Sequence, residues 1–388
     1  MTLPLALLLL ACAAPADDPL DGLSAVDFGD RVVEWETRAH ATPLDALQIL
    51  QLIGFEGPVE TTTGYTLMQV RYETTSFDGR VVPVSGLMAV PDGDIKGVVS
   101  WQHGTNAIRA NALSSPGSLE GLAVSAVFAG DGWLVVGADY IGLGVSEEIP
   151  PYLHTESTVN AVVDLLSIAG LAAEALGAAP ELGLVGFSQG ATVSAGVQRR
   201  LQVDNPTGLT LRRAAGLAGP YNLRDIALPY AIEQDRSYYL AYVANAYAHI
   251  YGQPLSSILQ SAYVDVVPAL FDGGATFDEI DAALPEAPED LYTEAMLADI
   301  EAGRDNWFTL ALEENETWRW VPETEFRLIY GEEDTDVSPA DATGAFDHMW
   351  AEGGAASLLS VGARDHGGAV QMGLPHVQRW FNDMTEVQ

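Results

Sequence analysis

The sequence predicts an α/β fold, in which a mostly parallel central sheet is covered by helices on both faces. Short apolar runs bounded by turn residues, at 97–102, 133–138 and 182–187, have the length and composition of buried strands. Segments with apolar residues at helical spacing, such as 157–176 and 189–201, alternate with these runs. Strands that alternate with helices in this way form parallel sheets buried on both faces.

The same alternation extends to both sides of this central stretch. Residues 65–75 and 81–90 each alternate apolar with polar side chains and predict a β-hairpin. Residues 326–330 and 356–361 predict two later strands, each followed by a helical segment. Near the start of the chain, the pattern of residues 23–53 favours a helix.

The regular alternation breaks between residues 220 and 320. This stretch is acidic, rich in tyrosine and mostly helical in pattern. We therefore predict a helical cap at 220–320, inserted after a fourth parallel strand predicted at 211–218. The core is then formed by 23–219 and 321–388, and 388 residues suffice for a large domain with such an insertion.

The N-terminus has the pattern of a secretory signal. Its apolar run from Leu3 to Ala11 is too short to span a bilayer. The run ends in Leu9-Leu10-Ala11-Cys12, which resembles a bacterial lipobox, although no Lys or Arg precedes it. The resemblance implies a signal peptide at 1–12, lipidation of Cys12 and a tether at 13–22. We expect an exported, membrane-anchored lipoprotein of the bacterial cell envelope, or a secreted protein if Cys12 is not lipidated.

The charge balance bears on the partners of the protein. Its 54 acidic residues outnumber its 17 basic residues, which gives a formal net charge of −37. Such a surface repels nucleic acid phosphates, so we expect no nucleic acid partner. Cys12 is the only cysteine, which excludes an intramolecular disulfide and a zinc site of the cysteine type. Nothing in the sequence indicates a cofactor or a metal.

A Gly-x-Ser-x-Gly motif, Gly186-Phe187-Ser188-Gln189-Gly190, lies between a predicted buried strand and a predicted helix. This context is typical of the nucleophile elbow, a tight strained turn that exposes a serine hydroxyl above a sheet. The helix that begins beneath the serine also favours developing negative charge. Ser188 is therefore the predicted nucleophile, and the alternative is a glycine-rich turn without chemical use.

A serine hydroxyl needs a base that removes its proton. Four histidines follow Ser188: His249, His348, His366 and His376. His366 alone follows a predicted strand in a glycine-containing loop, so it is the predicted base. The segment Gly331-Glu332-Glu333-Asp334-Thr335-Asp336-Val337 resembles the α/β-hydrolase pattern Gly-x-x-Asp-x-x-Val, which places the acid at Asp334. Asp336 is the competitor, and Glu332 and Glu333 are less favoured.

Acyl transfer also needs N–H donors for an oxyanion. The backbone N–H of Gln189 is one predicted donor. The loop His103-Gly104-Thr105 resembles the His-Gly-x loops of lipases and implies Thr105 as the other donor. In that loop His103 is expected to stabilise the backbone.

The resemblance to α/β-hydrolases covers residues 60 to 385. The segments 103–105, 139–144 and 152–154 are similar to the secretory lipase branch, which implies an exported esterase or lipase with a helical cap over the pocket. The resemblance also implies a mainly architectural role for Asp139. The aromatic run Tyr238–Tyr242 is expected either to line the pocket or to pack within the cap.

Hydrolysis of a small-molecule or lipid carboxylic ester is the leading functional hypothesis. A serine peptidase or aminopeptidase on the same fold is the enzymatic alternative, and it would need cap carboxylates that hold a substrate amine. A catalytically silent, surface-anchored binding protein is a third hypothesis, which the predicted triad disfavours.

Overall fold

The computed structural model describes residues 22–29, 31, 33–55 and 57–384, and its centre is a nine-stranded mixed sheet. In chain order the strands are β1 (Glu34–Ala41), β2 (Tyr65–Thr75), β3 (Val81–Pro91), β4 (Val98–Gln102), β5 (Leu134–Ala138), β6 (Glu181–Phe187), β7 (Thr210–Leu217), β8 (Phe326–Tyr330) and β9 (Ala356–Ser360). Their order in the sheet is β1-β2-β3-β5-β4-β6-β7-β8-β9. Strands β1, β2 and β3 pair antiparallel, and β3 joins β5 antiparallel. The six strands β4 to β9 are parallel to one another. The predicted α/β class is confirmed.

Helices cover both faces of this sheet. Those of the core are α1 (Pro43–Leu52), α2 (Leu119–Phe128), α3 (Thr155–Ala175), α4 (Gln189–Val203), α12 (Pro339–Ala351) and α13 (His366–Asn382). One hydrophobic cluster joins the sheet to α3, α4 and α12, and a second joins it to α1, α2 and α13. Helix α3 is apolar and long enough to cross a bilayer, but most of it is buried, as expected of a core helix.

The N-terminal region departs from the prediction of a helix over 23–53. Only α1 is a long helix there, because Glu34–Ala41 forms β1 and pairs with β2 at the edge of the sheet. An edge strand has one partner, and β1 leaves Glu34, Glu36 and Thr37 exposed, so the alternation of a half-buried strand is absent. A register shift between Thr37 and Ala39 disrupts the period further.

The segment between β7 and β8 is helical. It begins with a π-helical turn at Leu223–Ala227, and its helices are α5 (Leu228–Glu233), α6 (Ser237–Tyr251), α7 (Val267–Leu270), α8 (Phe277–Ala283), α9 (Pro288–Leu291), α10 (Glu294–Glu301) and α11 (Trp307–Glu314). These helices enclose their own hydrophobic cluster, with the buried rings of Phe271, Tyr292 and Phe308. We refer to this segment as the cap.

The predicted signal peptide at 1–12, with Cys12, lies outside the described residues. The same holds for the predicted tether except Gly22.

Candidate active site

Ser188 lies in the turn between β6 and α4, at the carboxyl edge of the parallel strands. Its backbone is left-handed, with φ 55° and ψ −123°, a conformation that non-glycine residues rarely adopt. Its N–H donates to the carbonyl of Leu217 on the neighbouring strand, at 2.8 Å. A Cβ at Gly186 would collide with the carbonyl of Gly190, and one at Gly190 with the carbonyl of Gln102. Both glycines of the motif are therefore required by the turn.

His366 and Asp334 form a hydrogen-bonded pair at the same edge of the sheet. Asp334 follows β8 and His366 is the first residue of α13, and the imidazole Nδ1 lies 2.7 Å from the carboxylate Oδ2. The other carboxylate oxygen accepts the N–H groups of Asp336 and Val337, at 2.8 and 2.9 Å. Asp334 is 3% exposed, so its carboxylate is held in one orientation and presents one oxygen to the imidazole.

Asp336, the competing acid, has a different partner. Its carboxylate forms an ion pair with the Arg236 guanidinium of the cap, with Nε and Oδ1 3.0 Å apart. Donor atoms of Asp334, Asp336 and His366 lie within 4.8 Å of one another, a grouping able to bind a metal ion. Their contacts are with one another, with backbone N–H groups and with Arg236, which is the arrangement needed to orient an imidazole.

The loop after β4 carries Thr105, the predicted second oxyanion donor. The Thr105 side chain lies 3.0 Å from the Tyr152 hydroxyl, and burial raises the pKa of that phenol, which keeps it protonated. Within residues 22–29, 31, 33–55 and 57–384, the N–H groups of Thr105 and Gln189 have no hydrogen-bond acceptor. Unpaired N–H groups beside a nucleophile are what an oxyanion hole requires.

His103 and Asp139 fix the backbone of the loop that carries Thr105. The His103 ring stacks on Tyr140 with centroids 3.9 Å apart, and its nitrogens lie 2.7 and 3.1 Å from the carbonyls of Gly104 and Asp139. The buried Asp139 carboxylate accepts the hydroxyls of Ser85 and Ser114, each at 2.5 Å. Burial raises the pKa of Asp139, and these hydrogen bonds oppose that rise. Both residues therefore have structural partners.

Glu120 is a site residue that sequence reasoning missed. It lies in the first turn of α2, and its Oε1 accepts the indole N–H of Trp101 at 2.9 Å and the N–H of Gly104 at 3.3 Å. This carboxylate ties β4 and α2 to the residue before Thr105. No motif marks it, because the contact depends on how α2 packs against the loop.

Two cavities meet at Ser188, and both are lined by Thr105, Ser188 and Tyr239. The first, here the cap cavity, spans about 540 Å³ including space open to solvent, and lies under the cap. Its other lining residues include Leu223, Leu228, Ala231, Val243 and Leu312.

The second, here the core cavity, spans about 1100 Å³ including space open to solvent, and lies on the side of His366. Its walls include Phe55, Leu119, Ala123, Val370 and Leu374. A wider third cavity, here the outer cavity, opens beside Thr105 and Tyr239, and Asp235, Asp281 and Glu286 line it. The space next to Ser188 is therefore mainly apolar, whereas the outer space is acidic.

The aromatic run of α6 has both of its expected roles. Tyr239 and Leu240 line the cap cavity at Ser188. Tyr242 packs inside the cap instead, stacked on Tyr152 with centroids 4.1 Å apart and on Phe271 at 4.7 Å. Of the four histidines that follow Ser188, the three besides His366 lie inside helices, namely His249 in α6, His348 in α12 and His376 in α13.

Comparison with known proteins places this architecture. No protein family and no curated sequence matches the chain. A Legionella pneumophila structure described as a candidate hydrolase superposes with a TM-score of 0.83 at 23% identity, covering 92% of this chain and 99% of that one. The rice cell wall degrading esterase LipA from Xanthomonas oryzae gives 0.78 at 22% identity, with 91% and 98% covered. Candida antarctica lipase A in its closed state gives 0.65 at 13% identity, with 96% and 87% covered.

These likenesses, together with the sheet order and the elbow, show that the chain has an α/β-hydrolase fold. They extend over nearly the whole chain, including the cap. Identities of 13 to 23% show the fold alone, so the function has to be argued from the site itself.

Proposed function

We propose that this protein is a serine hydrolase that cleaves carboxylic esters through an acyl-enzyme intermediate. The observation that carries the proposal is the Asp334–His366 pair at 2.7 Å, whose imidazole lines the same cavity as the strained Ser188. A nucleophile, a base and an orienting acid at one sheet edge are the parts that acyl transfer requires.

The reaction begins when Ser188 Oγ attacks the ester carbonyl and His366 takes the hydroxyl proton. Asp334 accepts the Nδ1–H of the imidazole, which leaves Nε2 free to act as the base and stabilises the imidazolium. The carbonyl oxygen becomes an oxyanion, and the N–H groups of Gln189 and Thr105 are the proposed donors to it. Each such donor is worth about 2.7–4 kcal/mol.

Collapse of the tetrahedral intermediate breaks the bond to the alkoxy oxygen, which leaves as an alcohol with the proton from His366. Water then attacks the acyl-enzyme, and His366 acts as base a second time. This sequence of steps uses these side chains, the two backbone N–H groups and water. Two groups remain fixed throughout, since Asp334 and the loop of Thr105 are held by hydrogen bonds.

Hydrolysis of p-nitrophenyl butyrate by the wild type and by Ser188→Ala tests this proposal. We expect kcat to fall by at least about 10⁴-fold in the variant, because the nucleophile is lost. Circular dichroism should show the same fold, since alanine removes one hydroxyl. Unchanged ester turnover in Ser188→Ala would contradict the assignment.

The peptidase alternative predicts carboxylates next to the nucleophile for a substrate amine. Three acidic cap residues line the outer cavity, away from Ser188, and Asp336 in the cap cavity is paired with Arg236. The apolar walls at Ser188 favour esters instead. Aminoacyl p-nitroanilides in the same assay distinguish the two functions, and an ester hydrolase should turn them over far more slowly.

We also propose that the protein is exported and anchored through a lipidated Cys12. The support is the lipobox-like segment Leu9–Cys12. Apart from the membrane and an ester substrate we propose no nucleic acid partner, because the net charge of −37 repels phosphates. Mass spectrometry of the mature N-terminus tests the anchor. An unmodified N-terminal residue other than Cys12 would refute it.

A further inference from the structure

We propose that the core cavity binds the alcohol portion of the ester, that this portion is an apolar alkyl or aryl group, and that the acyl chain enters the cap cavity. The inference rests on the proposed function, since it needs Ser188 as nucleophile and His366 as proton donor. It adds a direction and a substrate class to that function.

The cap cavity and the core cavity meet at the predicted nucleophile. Both are lined by Ser188 and Thr105, where the ester carbonyl has to lie during attack. An ester carbonyl carries two substituents, an acyl chain and an alkoxy group, which point in different directions. Two cavities that diverge from Ser188 therefore provide one space for each substituent.

The position of His366 decides which substituent enters which cavity. His366 lines the core cavity and is not among the described residues that line the cap cavity. In the acylation step, the bond from Ser188 Oγ to the carbonyl carbon forms and the bond to the alkoxy oxygen breaks. The proton taken from Ser188 passes from His366 to that oxygen, which has to lie within hydrogen-bond reach of the imidazole. The alkoxy group therefore lies on the core-cavity side.

The walls of the core cavity define the chemistry of the alcohol. Ile53, Phe55, Ala123, Val370 and Leu374 supply aliphatic and aromatic surface. Among the described wall residues, Glu120 is the one carboxylate and no lysine or arginine is present, and the Glu120 Oε1 already accepts two N–H groups. Burying methylene groups here is favourable by about 0.8 kcal/mol each, whereas a phosphate would lose water without gaining a basic side chain among the described walls.

The relative size of the two cavities indicates whether the alcohol portion or the acyl chain of the preferred substrate is larger. The core cavity spans about 1100 Å³ and the cap cavity about 540 Å³, and both volumes include space open to solvent. The larger substituent should therefore be the alcohol portion and the smaller one the acyl chain.

A pair of isomeric esters tests this asymmetry in the wild-type protein. Octyl butyrate and butyl octanoate contain the same atoms, so they differ in direction and hardly in overall hydrophobicity. We expect kcat/KM to be about tenfold higher for octyl butyrate, the size of discrimination that a few methylene groups give in an apolar pocket. Equal rates, or a preference for butyl octanoate, would contradict the proposed orientation.

Two matched substitutions assign the cavities separately. Ala123→Phe fills the core cavity, and Ala231→Phe fills the cap cavity. The ratio of kcat/KM for octyl butyrate over butyl octanoate should fall about tenfold in Ala123→Phe and rise in Ala231→Phe. Opposite shifts, or equal ratios in the two variants, would overturn the inference.

Leu119→Asp provides a variant that does not depend on tolerance of a larger buried side chain. Leu119 lines the core cavity and is 46% exposed, at the first position of α2 where a carboxylate favours the helix. We expect octyl butyrate to lose more activity than butyl octanoate, because the charge lies beside the octyl chain. The reverse order of losses would contradict the inference.

The same assays separate this inference from the proposed function. If the wild type hydrolyses neither isomer nor p-nitrophenyl butyrate, the ester hydrolase proposal fails. If it hydrolyses all three but the variants shift the ratio in the wrong direction, the orientation fails and the ester hydrolase proposal stands.

Discussion

The carboxyl edge of the sheet and the root of the cap each hold a buried aspartate, and the two are used differently. At the edge, Asp334 accepts an imidazole N–H and two backbone N–H groups. At the root, Asp341 of α12 accepts the N–H groups of Tyr221 and Asn222 at 2.9 and 2.7 Å, where the chain leaves β7 for the cap. Both carboxylates are nearly inaccessible, at 3% and 0% exposed.

The difference lies in the partners. Asp334 has a titratable partner that faces a cavity with Ser188, so its charge can act on a reaction. Asp341 has backbone partners alone among the described residues, and its second oxygen has none. Burial raises the pKa of Asp341 well above the usual range of an aspartate. Burial of a carboxylate near the carboxyl edge of the sheet therefore does not by itself make it catalytic. Its partner determines its role.

The largest effect on activity should come from breaking the hydrogen-bonded pair of Asp334 and His366, here the edge pair. Asp334→Asn keeps the size of the side chain but favours the wrong imidazole tautomer, so kcat for p-nitrophenyl butyrate should fall by about 10³- to 10⁴-fold. The measurement is steady-state kinetics at neutral pH.

Asp139→Asn is the matched control at the neighbouring loop. It should retain most of the kcat and lose about 1–3 kcal/mol of stability, because its hydroxyl and N–H partners are structural. An equal loss of kcat in both variants would show that the edge pair is not distinct in function from the buried aspartate beside it.

A smaller effect is expected at the cap root, in the pH dependence of stability. The pKa of Asp341 is higher in the folded protein than in the unfolded chain. The folded state therefore binds more protons above the unfolded pKa near 4, and the free energy of unfolding falls as the pH rises from there toward the folded pKa.

Asp341→Asn removes this term while keeping an acceptor for Tyr221 and Asn222. The Tm of the variant minus that of the wild type should increase from acidic to neutral pH, as measured by thermal unfolding at several pH values. The difference between the two proteins cancels the background from the other 53 acidic residues. A constant difference would mean that Asp341 titrates normally.

The edge of the sheet could be predicted from sequence because its parts are local. Gly186 and Gly190 mark a turn that has no room for a side chain at these two positions. The loops of Asp334 and His366 follow short apolar strands. Parallel strands end at one edge, so residues far apart in the chain come together there without knowledge of side-chain packing. The Gly-x-x-Asp-x-x-Val pattern favours Asp334 over Asp336, and in the structure Asp334 pairs with the imidazole.

Other features of the fold and the site depend on packing between segments that are distant in the chain, so no local pattern predicts them. The strand β1 carries charges on an edge, so its periodicity resembled a helix. The contacts of Glu120 and the raised pKa of Asp341 depend on how helices pack against segments distant in the chain. The division of the space above Ser188 into two cavities likewise depends on how the cap packs, because Tyr239 and Tyr242 of one helix face different surroundings.

Covalent labelling by a fluorophosphonate tests the central claim most directly, since the reagent reacts with serines activated as nucleophiles. Peptide mass spectrometry should find one adduct, on Ser188, in the wild type. The adduct should be absent from Ser188→Ala and should form much more slowly in Asp334→Asn. Labelling of another serine, or equal labelling of Ser188→Ala, would contradict the assignment of Ser188 as the nucleophile.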